Sequence, residues 1–180
     1  MRSIGMRDGA DGDEQSIRNA AGSRRARPTG GVRRVKLDVH PGVRVGLALE
    51  NHLAPLFGAL GIRCSRAAVT ERRSKPDFLF PGATQYRDPA FDPLRLTMLG
   101  VKSTCKDRWR QILPEADRIG TKHLLTLETG ISEHQTGEMQ SQSVQLVLPR
   151  VLHETYSVAQ RGWLWDVRGF TNLVLSRQQP

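Results

Sequence analysis

An α/β sandwich built on a mixed central sheet is the fold this 180-residue sequence predicts, on three observations. Short apolar runs that read as strands are interleaved with segments whose apolar residues recur at helical spacing. The best strand, "LRLTMLGVK", is apolar on both faces, as a central strand covered from both sides would be. No internal repeat is present, so the alternation describes one layered domain and not an array.

The elements follow in order. In "RVGLALENHLAPLFGALGI" the residues Leu49, Leu53, Leu56, Phe57 and Leu60 keep helical spacing and Gly61 supplies a stop; Pro55 inside the pattern marks a kink or a boundary. After "TERRSKPD", "FLF" reads as a short strand and "PGATQYRDPAFDP" as a turn-rich segment. "LRLTMLGVK" then runs to Lys102. The charged stretch that follows places Trp109, Ile112, Leu113, Ala116 and Ile119 on one helical stripe, with Pro114 at a kink or a first turn. "KHLLTLE" and "VQLVLP" read as two further strands with the polar loop "ETGISEHQTGEMQ" between them. "LHETYSVAQRGWLWDVRGFTNLVL" closes the chain as helix, with Trp163, Trp165 and Phe170 as core or interface aromatics.

Charge divides the chain in two. The first 44 residues hold ten Lys/Arg against five Asp/Glu, and the rest hold seventeen against thirteen, within a formal net charge of +9. Such a balance points to a polyanionic partner, most often nucleic acid. "SRRARPTGGVRRVK" is basic, broken by Gly and Pro and free of aromatics, so residues 1–42 read as a disordered arm or a solvated leader, and 43–180 as the folded domain. Cys64 and Cys105 have no CxxC or CxxH spacing, which argues against a disulfide framework or a structural zinc site. No run approaches the roughly 20 apolar residues of a membrane span and no signal peptide is visible. A soluble, cytoplasmic protein is expected.

Asp77 stands at the start of the first short strand and Lys102 at the end of the central one. If these strands are neighbours, carboxylate and ammonium meet at one sheet edge. On a helix, Glu115 would lie about 100° from the centre of the buried stripe, on its flank, facing Lys102 while Arg108 faces outward. Two carboxylates and a lysine beside a basic surface suit metal-dependent phosphodiester hydrolysis: the carboxylates hold Mg²⁺ and the lysine orients water and stabilises charge. On spacing alone, the same residues read first as a salt-bridged strand end. His123, His134 and His153 lack ligand spacing and read as structural or surface histidines. Cys105 beside basic residues could carry a lowered pKa but has no positioned histidine.

A wider pattern adds to this. "KPDFLFPGATQYRDPAF", "LTMLGVKSTCKDRWRQILPEADRIGTKHLLTLETGISEHQTGEM" and "VQLVLPRVLHETY" closely resemble the catalytic C-terminal domain of EcoRII-type type II restriction endonucleases, a branch of the PD-(D/E)xK superfamily. The likeness spans about Gly42 to Val174. It implies a restriction-endonuclease-like three-layer sandwich and an active site in the order aspartate, lysine, glutamate, with the second carboxylate displaced onto the following helix. Gly100, where many superfamily members carry that carboxylate, agrees with the displacement. The resemblance makes Asp77 and Glu115 metal ligands for Mg²⁺, Lys102 the water-orienting group, and Glu50 a further acidic position near the metal. It assigns "KDRWR" to base reading, with Lys106, Asp107 and Arg108 on adjacent G·C pairs and Arg110 on phosphate. It implies cleavage of double-stranded DNA at a CC(A/T)GG-like palindrome by a homodimer, in a system with a cognate cytosine methyltransferase. A nicking or mismatch-repair nuclease of the same fold and a non-catalytic DNA-binding relic are the alternatives.

Overall fold

Five strands form one mixed sheet in the computed structural model, which describes residues 45–179 apart from 107. The basic arm expected over residues 1–42 lies outside the described residues. The elements are α1 (Val45–Ala59), β1 (Ser65–Arg66), β2 (Phe78–Phe80), α2 (Ala83–Arg87), β3 (Thr97–Lys102), β4 (Lys122–Thr126), α3 (Glu133–Ser141), β5 (Val144–Val147), α4 (Val158–Arg161) and α5 (Val167–Gln178). Sheet order follows chain order. β1 and β3 flank β2 in antiparallel pairs, whereas β3, β4 and β5 run parallel. "LRLTMLGVK" is therefore the middle strand, and its buried residues alternate between two cores.

On one face, Phe78, Phe80, Leu99, Val101, Leu125 and Val147 meet Leu53 and Phe57 of α1 and Phe170 and Val174 of α5. The Phe57 ring stands edge-on to Phe78 and Phe80, with centroids 5.2 Å away in each case, the arrangement that aromatic quadrupoles favour. On the other face, Leu79, Met98, Leu124 and Leu146 pack against Tyr86 of α2, Met139 of α3 and the Trp109–Ile119 segment. Helices and turns thus cover both sides of the sheet, giving three layers. No helix among the described residues is long and apolar enough to cross a membrane.

Three expected elements take a different form. The charged stretch after β3 is not an α-helix: only Trp109–Ile112 forms a 3₁₀ turn, and Ala116 adopts a left-handed φ of 52°. Pro114 explains this, because it has no amide hydrogen to give and its ring would collide with the carbonyl of residue 110. The expected stripe is still buried, since Trp109, Ile112, Ala116 and Ile119 all face the core from successive tight turns. The polar loop after β4 contains α3, started by Ser132, whose hydroxyl accepts from the Gln135 amide at 3.3 Å. It buries only Thr136 and Met139, too few apolar residues to show a period. The closing helix is broken into a 3₁₀ turn (Arg150–Thr155), α4 and α5. Trp165 interrupts it by bonding to the sheet: its amide donates to Leu146 and its carbonyl accepts from Leu148. Asp166 then caps α5 through Gly169 at 2.7 Å. Two small elements, β1 and α2, arise inside stretches read as irregular.

His123 of β4 is 1% exposed, its ring 5.2 Å from Phe170 and 5.8 Å from Trp165, and its Nδ1 has no hydrogen-bond partner. Burial, aided by the Arg177 charge, pushes its pKa down to about 4. The folded state therefore holds the ring neutral while the unfolded chain protonates it near pH 6.5. Because the unfolded state binds the extra proton, this contribution is present above pH 6.5 and is lost as pH falls toward 4. Urea unfolding at pH 7 and pH 5 should show the wild type losing on the order of 2 kcal/mol more than a His123→Phe variant. Equal losses would mean that the ring is not buried neutral.

Candidate active site

The antiparallel pairing of β2 and β3 brings the start of one strand to the end of the other. Asp77, held before β2 by the buried Pro76, consequently meets Lys102 at the end of β3. Asp77 Oδ2 accepts from the Val101 amide at 2.6 Å and from Lys102 Nζ at 3.1 Å. The two side chains are 17% and 18% exposed, so the pair is largely but not wholly withdrawn from water. Charge-assisted bonds of this kind fix both partners. The strand-neighbour condition set by the sequence is met.

Glu115 reaches the same edge from the turn that replaces the expected helix. Its amide donates to Ile112 at 3.1 Å, and the next residue, Ala116, turns the chain so that Lys122 Nζ bonds the Ala116 carbonyl at 2.6 Å. Burial pushes the Glu115 carboxyl up to about 7; Lys102 and Lys122 oppose that shift, and the negative charge of Asp77 adds to it. Asp77, Lys102 and Glu115 therefore share one electrostatic neighbourhood. Among the described residues no hydrogen bond reaches the Glu115 carboxylate from a side chain or an amide.

Two half-buried carboxylates with unspent oxygens suit Mg²⁺, which takes one or two protein carboxylates and completes its shell with waters and phosphate. No group of three or more Asp, Glu, His or Cys able to hold an ion occurs among the described residues.

Gly100 has a packing reason. A Cβ at that position would come within 2.8 Å of Ile112 Cγ2, closer than real Cβ atoms approach anything. A side chain two residues before Lys102 would force Ile112 to shift.

Glu50 on α1 lies in another contact. Its carboxylate takes Arg66 Nη2 at 3.3 Å, and the same guanidinium bonds Asn51 at 3.1 Å and sits over the Phe78 ring. Glu50 is thus tied to β1, beside the strand that Asp77 begins.

Lys106, Arg108 and Arg110 are exposed next to this edge, while Asp107 lies outside the described residues. Arg110 is engaged within the protein, 2.8 Å from Glu138 Oε2 and stacked 4.6 Å over the buried Trp109 ring. Cys105 is buried, and burial pushes its thiol up to about 12 despite the basic neighbours. Sequence reading missed Glu128, Lys122 and Gln135. Glu128 ends its apolar run much as Lys102 ends the central strand, and that position was the available signal.

The family model described as EcoRII C terminal matches residues 38–171. The type II restriction enzyme EcoRII of Escherichia coli is 49% identical over 128 residues, which are 71% of this chain and 32% of that protein. The chain thus spans about a third of that relative's length. In fold it resembles two structures of metal-depleted Ecl18kI, in complex with uncleaved DNA and with uncleaved, modified DNA. Each has a TM-score of 0.62 and 19% identity, over 73% of this chain and 44% of that one.

Proposed function

Because the chain belongs to the EcoRII C-terminal family, we propose that it is a Mg²⁺-dependent type II restriction endonuclease. Its substrate is double-stranded DNA carrying a CC(A/T)GG-like palindrome. Two copies act as a homodimer, each cutting one strand, because a two-fold site matches a two-fold protein.

The observation that carries this reading is the Asp77–Lys102 pair at the junction of β2 and β3, with Glu115 in the same charge neighbourhood. Asp77 and Glu115 would hold the ion. When bound, Mg²⁺ lowers the pKa of a water and polarises the scissile phosphate. Asp77 Oδ2, itself fixed by the Val101 amide, holds Lys102 Nζ in place. The ammonium, fixed at that point, orients the attacking water and offsets negative charge developing on a phosphoryl oxygen. Tyr86, the nearby phenol of α2, is already spent on Glu71 at 2.6 Å and adds no acid.

Lys106, Asp107 and Arg108 follow the catalytic lysine by four to six residues and read base edges in the major groove. Arg110 changes its Glu138 partner for phosphate when DNA arrives, or stays as a strut for Trp109. The cognate cytosine methyltransferase of the system would block reading at the same edges without touching this protein.

The test is cleavage of a plasmid containing CC(A/T)GG by purified protein, in Mg²⁺ and in EDTA, beside the same plasmid methylated at the site. Discrete fragments that need Mg²⁺ and disappear on methylation support the reading. An intact plasmid despite specific binding of the site would identify a non-catalytic DNA-binding protein. Cutting confined to mismatched duplexes would identify a repair nuclease.

A further inference from the structure

The segment that follows Lys102 is built around a carboxylate from outside it. Glu128 lies two residues beyond β4, whose last residue, Thr126, stands in register with Lys102. Its Oε2 accepts from two consecutive amides, Cys105 at 2.5 Å and Lys106 at 3.0 Å, and its Oε1 lies 3.9 Å from Lys106 Nζ. Only 10% of the side chain is exposed. Consecutive amides converging on one anion form a nest, here filled by the protein's own carboxylate. Glu128 is itself fixed: its carbonyl accepts from the Tyr156 hydroxyl at 2.7 Å and its amide donates to Thr126 Oγ1 at 3.1 Å. Gln135 of α3 completes the clamp by donating to the Lys106 carbonyl at 3.0 Å.

From this geometry we infer that Glu128 is a positioning residue for sequence discrimination, resting on the function proposed above. It contacts neither the reacting phosphate nor a base. It fixes the backbone at Cys105 and Lys106, at a set distance from Lys102, so that reading and cutting share one edge. Without it, DNA must order the segment on binding, and only the base-reading complex bears that cost. Contacts to phosphate outside the segment do not depend on it.

The experiment measures dissociation constants in EDTA for a CC(A/T)GG duplex and for one with a G·C pair replaced, using wild type, Glu128→Ala and Glu128→Gln. For Glu128→Ala the affinity for the site should fall about ten- to a hundredfold, the equivalent of losing one charge-assisted hydrogen bond. Affinity for the altered duplex should stay unchanged. Glu128→Gln keeps one acceptor oxygen and should lose less; it also carries the test if the alanine variant does not fold. Equal weakening on both duplexes, or none on either, overturns the inference while leaving the endonuclease intact. A wild type with no preference for the site overturns the parent reading itself.

Discussion

Asp77→Ala should abolish cleavage, a fall of roughly a thousandfold or more, and lower folding stability by about 2–4 kcal/mol. The stability effect comes from one oxygen. Oδ2 satisfies the Val101 amide and the Lys102 ammonium, so its removal leaves a donor and a charge without partners at a largely dry strand junction. The stability loss falls in the lower part of the range for a broken buried pair because both side chains keep some contact with water. Asp77→Asn separates the two roles. Its amide oxygen can still accept from Val101, so urea unfolding should recover at least half of the lost stability, yet plasmid cleavage should stay absent. An asparagine variant that cut DNA would show that Asp77 is a structural acceptor and not a metal ligand.

Glu115→Gln should lose cleavage to a similar extent while the protein, in EDTA at pH 8, melts at a higher temperature than wild type. The reason is burial: the carboxylate is withdrawn from water, lies near Asp77, and receives no hydrogen bond from the described residues. A neutral amide of the same shape removes the cost of keeping that charge. Mg²⁺ should narrow that gap. At ten times its dissociation constant the ion stabilises a protein that binds it by about 1.4 kcal/mol, which for a domain of this size is a rise of about 3–6 °C. The glutamine variant should show little of that rise. Equal gains in wild type and variant would remove Glu115 from the metal site.

Much of this arrangement was legible in the sequence, for identifiable reasons. Phe78–Phe80, Thr97–Lys102 and the two later strands announce themselves because buried strands must be apolar and end at polar residues. Asp77 and Lys102 could be paired because antiparallel neighbours join opposite ends. The Trp109–Ile119 segment misled because a chain of tight turns can bury residues three and four apart as a helix does; Pro114 was the residue that told them apart. α3 escaped because its stability rests on a serine cap and a few contacts, not on an apolar stripe. Glu128 and Lys122 escaped for a different reason. Their roles lie in backbone groups, the amides of Cys105 and Lys106 and the carbonyl of Ala116, and a side-chain sequence says little about where free backbone groups converge.

The contact between Gly100 and Ile112 also governs how this site could change over generations. Moving the carboxylate back to position 100 in one step forces a new side chain into a filled core and disturbs the very turn that presents Glu115. Trimming Ile112 first opens the space but leaves a cavity, at a cost of about 2–5 kcal/mol before any benefit arrives. Either order passes through a weaker intermediate. For the catalytic groups proposed above, the two layouts are therefore separated by a valley, and a lineage with its second carboxylate at position 115 would be held there by a hydrophobic neighbour that takes no part in the proposed chemistry.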